Sequence, residues 1–168
     1  GTLLAWAVEG GRLKVNVARS SPLLHSADHS EDSWQESDWE AISKTASKEL
    51  MTALRLASLT GLRLGDLVAL DWVHVKDKAI VMVTNKRKKR VVIPILPELR
   101  ALLDSIPGEG AVLKNSRGKP WTASGLGSVF QKAKGDLAVR IHDLRGTYVT
   151  WLCMKGLTDE EIHRIIGW

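Results

Sequence analysis

Thr60-Gly61-Leu62-Arg63-Leu64-Gly65-Asp66-Leu67 reads as the end of one helix and the start of another. Upstream, apolar residues recur at helical spacing through Leu50, Leu54 and Ala57, and Gly61 can leave the helix in a left-handed turn. A capping-box pattern, Ser37-x-x-Glu40, opens that upstream segment. A short helix over residues 64–70 follows, so Arg63 is held at a junction between two helix ends. Asp66, one turn further on, is placed to hydrogen-bond the guanidinium or a neighbouring side chain and so fix its fork geometry. Taken alone, the segment fits equally well an exposed arginine at a helix start beside an acidic neighbour.

Working outward, residues 72–75, 79–84 and 90–95 are rich in β-branched side chains and separated by polar turns, which predicts a small antiparallel sheet of three strands. Pro94 and Pro97 close it. Helical patterns return at residues 98–105, 122–134, 142–155 and 159–166, the last introduced by a second capping box, Thr158-x-x-Glu161, and ended by Gly167. The expected class is therefore α+β, mostly helical with one small sheet. Ahead of this domain, residues 3–8 read as the end of a helix stopped by Gly10 and Gly11, followed by an irregular stretch as far as Trp34. So short a helix has few apolar partners of its own, which implies a further N-terminal domain in the intact protein.

A chain of 168 residues, 44% hydrophobic, can bury one core without disulfides. Its single cysteine, Cys153, excludes a disulfide framework and a multi-cysteine zinc site, and fits a reducing, cytoplasmic setting. No run approaches a membrane span, and residues 3–7 lack the basic start and cleavage pattern of a secretion signal. Charge is strongly segregated. Residues 26–43 hold six acids (Asp28, Glu31, Asp32, Glu36, Asp38, Glu40) and no Lys or Arg, so the net +5 becomes +11 over the rest of the chain. Such a surplus suits a polyanion such as DNA, and ribosomal proteins share it.

Two further segments carry chemistry. Lys86-Arg87-Lys88-Lys89-Arg90 lies between two expected strands. As a solvated charge run it attracts phosphates. As a hairpin tip it can also deliver one lysine into a groove, where partial desolvation lowers the pKa enough for it to protonate a leaving alkoxide. His142-Asp143-Leu144-Arg145 opens a helix whose apolar face includes Leu144, Tyr148 and Leu152. The i, i+3 spacing puts His142 and Arg145 on one face of the first turn, where backbone N–H groups also favour an anion. The plainer alternative is a histidine satisfied by a backbone carbonyl and an arginine paired with an acid.

In this order the segments resemble the motifs of the tyrosine recombinases, the phage-integrase family. Thr60–Leu67 resembles the first arginine box, Lys86 the hairpin lysine, His142–Arg145 the His-x-x-Arg box, and Gly167-Trp168 the place where the family has Gly followed by His or Trp. The resemblance covers residues 36–168 as the catalytic domain, with residues 1–35 as the end of a core-site-binding domain and an acidic linker. It implies attack by a tyrosine hydroxyl on a DNA phosphodiester, a 3′-phosphotyrosyl intermediate, and no metal or other cofactor. It also implies Arg63 and Arg145 as phosphate clamps, Lys86 as the acid for the leaving 5′-oxygen, and His142 and Trp168 as assistants. Asp66 is in support, Arg87, Lys88, Lys89 and Arg90 touch DNA, and the intact protein works as a tetramer on duplex DNA. Gly146 stands where many relatives carry another histidine. The nucleophile is expected about nine residues beyond the Gly-Trp pair, outside this chain, because the one tyrosine, Tyr148, falls on a core-facing helical stripe.

Two other classes compete. One is an accessory DNA-binding protein descended from a recombinase. The other is a basic RNA-binding protein, in which Arg63, Lys86, His142 and Arg145 would be unrelated in space. A metal hydrolase fits poorly, since His25, His29, His74, His142 and His163 show no ligand spacing, and His74 and His163 read as a strand residue and a surface helix residue.

Overall fold

A central helix, α2 (Lys48–Thr60), buries Leu50, Ala53, Leu54, Leu56 and Ala57 on one face and organises the other elements around it. This computed structural model describes residues 34–86 and 88–167, all within one compact unit, Asp32–Trp168. The expected helix over 3–8 and the irregular stretch after it lie outside the described residues.

The helix expected to run unbroken from residue 37 to Gly61 is two helices. The first, α1 (Glu36–Ser43), begins two residues earlier than its capping pattern suggested: the Asp38 carboxylate, not Glu40, turns back to accept the Gln35 backbone N–H at 2.8 Å. It stops because Ser47 adopts an extended conformation and its hydroxyl accepts the Leu50 N–H, starting α2 afresh. Gly61 ends α2 at φ +60°, its N–H donating to the Ala57 carbonyl, and α3 (Leu64–Val68) follows.

The sheet differs from expectation. Among the described residues it has two antiparallel strands, β1 (Ala79–Val83) and β2 (Arg90–Pro94), in the register Ala79↔Pro94 through Val83↔Arg90. Ile80, Met82, Val91 and Ile93 face the core, whereas Val83 and Val92 face solvent. The segment expected as a third strand instead forms a 3₁₀ turn, Trp72–His74. Its β-branched residues were overridden by local polar bonds: the Asp71 carboxylate accepts the Val73 N–H, and His74 Nδ1 accepts the Asp71 N–H. Val75 keeps only a single bridge to Ile80. His74 is thus a turn-forming residue.

Four helices complete the fold: α4 (Pro97–Asp104), α5 (Ala123–Lys134), α6 (Asp143–Met154) and α7 (Asp159–Ile166). α4, α5 and α6 all pack on α2. Trp34 sits between Trp39 and Phe130, with ring centroids 4.7 and 6.1 Å away. A smaller apolar cluster, Tyr148, Leu152, Ile162 and Ile166, joins α6 to α7. The Thr158 and Glu161 capping box of α7 is formed as expected, and Gly167 ends that helix at φ +67°.

A Cβ at Gly61 would stand 2.5 Å from Cδ1 of Tyr148. Gly61→Ala combines that overlap with a left-handed backbone, and should lower unfolding stability by about 2 kcal/mol or more. Urea denaturation of the two proteins side by side reads the loss as a lower midpoint at unchanged slope; equal midpoints would contradict it.

Candidate functional site

The C-terminal ends of two helices meet at Arg145. This residue lies one turn into α6 and is 5% exposed. Its Nη1 donates to the Gly61 carbonyl at the end of α2, and its Nη2 donates to the Ile166 carbonyl at the end of α7, at 2.8 Å. Both acceptors sit at helix C-termini, where the dipole is negative and carbonyls lack helical partners. The guanidinium fork therefore ties two helix ends together with hydrogen bonds of fixed geometry.

Arg63 is the N-cap residue of α3, two positions after Gly61, and so is fixed beside the first of those bonds. Its Nη1 is buried without a hydrogen-bond partner. An unpaired guanidinium nitrogen shielded from water is costly, and an anion is what relieves it.

Asp66 is 2% exposed and holds something other than Arg63. Its Oδ1 accepts the backbone N–H of Asn85 at 2.6 Å, pinning the β1–β2 turn to α3. The tip is closed by Thr84 N–H to the Lys89 carbonyl (2.8 Å) and by Lys88 N–H to the Thr84 carbonyl (3.0 Å), with Lys88 at φ +52°. At its root, Gly167 packs so tightly that an added Cβ would lie 2.7 Å from Val91 and 3.4 Å from Thr84. Lys86, the residue after the pinned Asn85, is exposed, as are Lys88, Lys89 and Arg90. Arg87 and Trp168 lie outside the described residues.

His142 precedes α6, exposed, and makes no side-chain cap; its carbonyl accepts the Arg145 N–H. The helix start is braced by Asp143, whose carboxylate accepts the Arg140 backbone N–H at 2.9 Å and pairs with Arg140 Nε at 3.2 Å. The structure thus bonds Arg145 to Gly61, two residues before Arg63, and Asp66 to the lysine-bearing turn, while His142 is linked to Arg145 through the start of its own helix. The sequence reading missed Asn85 and Asp143. An asparagine beside a basic run and an acid at a first helical turn were the available signals.

Tyr148 is packed flat over Gly61 and stacked on Trp151, centroids 5.9 Å apart. Its hydroxyl is buried without a partner, and burial pushes its pKa from the ordinary 10.0 up to about 12. Among the described residues no group of three or more His, Cys, Asp or Glu is placed to hold a metal ion, and no helix is long and apolar enough to cross a membrane.

The model of the phage integrase family matches residues 33–168. No curated protein matches the chain. Among solved structures, a lambda integrase dimer bound to a COC′ core site superposes with a TM-score of 0.74 at 19% identity, over 99% of this chain and 68% of that one. The lambda integrase catalytic core does so with a TM-score of 0.64 at 23% identity, over 78% and 92%. XerA recombinase gives 0.60 at 19% identity, over 95% of this chain and 62% of that one. The chain thus spans about two thirds of the first and third of these structures.

Arg145→Lys keeps the charge but removes the fork. One of the two carbonyls then loses its donor, which should cost about 1–3 kcal/mol in urea unfolding; full retention of stability would show that the fork is dispensable. Tyr148→Phe removes a hydroxyl that bonds nothing, so stability should be unchanged or higher. With the native ring, the folded state keeps the phenol proton that the unfolded chain sheds first. Stability should therefore fall as pH rises from 10.0 to about 12. Tyr148→Phe should flatten that fall, and an unaltered pH profile would refute the assignment.

Proposed function

Because this chain belongs to the phage integrase family of tyrosine recombinases, we propose that it is the strand-cleaving domain of a site-specific DNA recombinase, active in the cytoplasm of a bacterium or phage-infected cell. The observation that carries this reading is a buried Arg63 nitrogen left without a hydrogen-bond partner, on a residue two positions after the Gly61 whose carbonyl Arg145 holds.

In the proposed reaction a tyrosine oxygen attacks a DNA phosphorus, forming a 3′-phosphotyrosyl bond as the bond to the 5′-oxygen breaks. Arg63 and Arg145 hold the non-bridging oxygens and offset the extra negative charge of the five-coordinate transition state, the work that metal ions do in many other phosphoryl transfers. Lys86 gives its proton to the departing 5′-oxygen. It stands on a tip that Asp66 fixes through Asn85, which makes Asp66 a positioning residue for the lysine. His142 assists proton movement and Trp168 donates its indole N–H to the phosphate. Lys88, Lys89, Arg90 and Arg87 draw the DNA backbone to the site. Tyr148 is assigned no part in the attack, because its hydroxyl is buried with no hydrogen-bond partner to take its proton. The intact protein works as a DNA-bound tetramer.

The test uses the intact protein that carries this domain and a nicked duplex, with covalent protein–DNA adduct resolved on a denaturing gel. Arg63→Ala should slow adduct formation by about 10²–10³-fold, and Lys86→Ala by about 10²–10⁴-fold. Replacing the 5′ leaving oxygen by sulfur, which needs no proton to depart, should restore the Lys86→Ala rate and leave Arg63→Ala slow. Absence of any adduct with DNA bound and a downstream tyrosine present would overturn the enzymatic reading.

A further inference from the structure

Residues 111–135 contain five cations (Lys114, Arg117, Lys119, Lys132, Lys134) and no Asp or Glu. The first three lie on a second hairpin-like turn. Trp121 N–H donates to the Leu113 carbonyl at 3.2 Å, Lys114 bridges Pro120, and Asn115 N–H donates to the Lys119 carbonyl at 2.8 Å. The tip is preset: Gly118 N–H reaches the Asn115 carbonyl, and Asn115 Oδ1 accepts the N–H groups of Arg117 (2.9 Å) and Lys119 (3.2 Å), with Gly118 at φ +71°. Lys114 spends its ammonium on the Glu109 carbonyl at 2.8 Å. The side chains of Arg117 and Lys119 are exposed and bond to nothing among the described residues.

This ribbon is rooted beside the site. Val112 N–H donates to the Leu70 carbonyl at 3.0 Å, and Ala111 bridges Asp71, just after α3. The same short helix begins at Arg63 and, through Asp66, holds the Lys86 turn. A helix of five residues is only about 7.5 Å long. Both basic turns are therefore anchored to the short helix that Arg63 begins or to the residues just after it. A duplex carries one phosphate charge per about 1.7 Å of its axis.

We propose that the turn Lys114–Lys119 is a second DNA-backbone contact, with Arg117 and Lys119 each neutralising a phosphate on the duplex whose scissile phosphate sits at Arg63. This rests on the recombinase reading above and adds residues that its motifs do not include. Because the tip is held by its own backbone and by Asn115, the two cations are presented with little ordering left to do on binding. The contact is sequence-independent and acts on affinity alone.

The test is the salt dependence of binding to a duplex, measured by fluorescence anisotropy for the unaltered protein and for Arg117→Gln/Lys119→Gln. Loss of two phosphate contacts should reduce the slope of log K against log salt by about 1.8. The adduct-forming rate at saturating DNA should be unchanged, and so should the thermal unfolding midpoint, since neither side chain bonds to anything in the fold. An unchanged slope in a folded variant would overturn the second contact while leaving the recombinase reading intact. An unchanged slope but a slower saturated rate would place the two residues in the chemistry and also overturn it. Failure of the unaltered protein to bind DNA at all would overturn both readings.

Discussion

The geometry of the site depends on one buried guanidinium. Arg145 bonds the last carbonyls of α2 and α7, so two helices with no reason of sequence to end at the same place are made to do so. Helix C-termini repel one another through their aligned carbonyls, and a cation between them turns that repulsion into attraction. The arrangement also requires Gly61: only a residue tolerant of φ +60° can close the helix there, and only one without a Cβ leaves room for the Tyr148 ring. Tyr148 in turn lies one helical turn beyond Arg145 on α6. The residue that clamps and the residue that packs are delivered by the same rigid element.

From that clamp the rest of the site follows by short connections. Arg63 is two residues from Gly61, and Asp66 is three further on, within a helix too short to bend. Asp66 reaches across to the β1–β2 turn, while Gly167, one residue past the clamped Ile166, closes on Val91 and Thr84 at the same end of the hairpin. The turn end of the hairpin is therefore held by α3 and by the end of α7, the second of which Arg145 bonds directly. A buried carboxylate that accepts a backbone N–H positions a lysine without neutralising it, which a direct Asp–Lys pair would do. That distinction explains why Asp66 bonds to Asn85 and leaves Arg63 open.

Much of this was legible in the sequence because it rests on local signals. Gly61 and Gly167 as helix stops, the Thr158 capping box, the alternation of Ile80, Met82, Val91 and Ile93, and the boundaries of α5 and α6 all follow from patterns a few residues long. The misreadings share a cause, the competition of polar side chains with the backbone. Ser47 restarts a helix that hydrophobic spacing alone would have continued, and Asp71 with His74 turns a β-branched stretch into a 3₁₀ turn. Asp66 was expected to bond Arg63 or a neighbouring side chain. Its actual partner, the Asn85 amide, is 19 residues away, and nothing local marks it.

The cations of the chain divide by burial, and the division has a physical basis. Arg145 and the shielded nitrogen of Arg63 lie where water is excluded and hydrogen bonds have fixed direction, which is where charge developing in a transition state is best stabilised. Lys86, Lys88, Lys89, Arg90, Arg117 and Lys119 are exposed. Their attraction is long-ranged, weakly directional and screened by salt, which suits capture of a polyanion and not selection of one geometry on it. Lys86 is the residue that has to cross between these roles. It stands exposed on the turn in the free protein, and bound DNA would exclude water around the tip. A lysine proposed to act only once its substrate has arrived requires the tip to be held in place beforehand, as the Asp66 bond to Asn85 does.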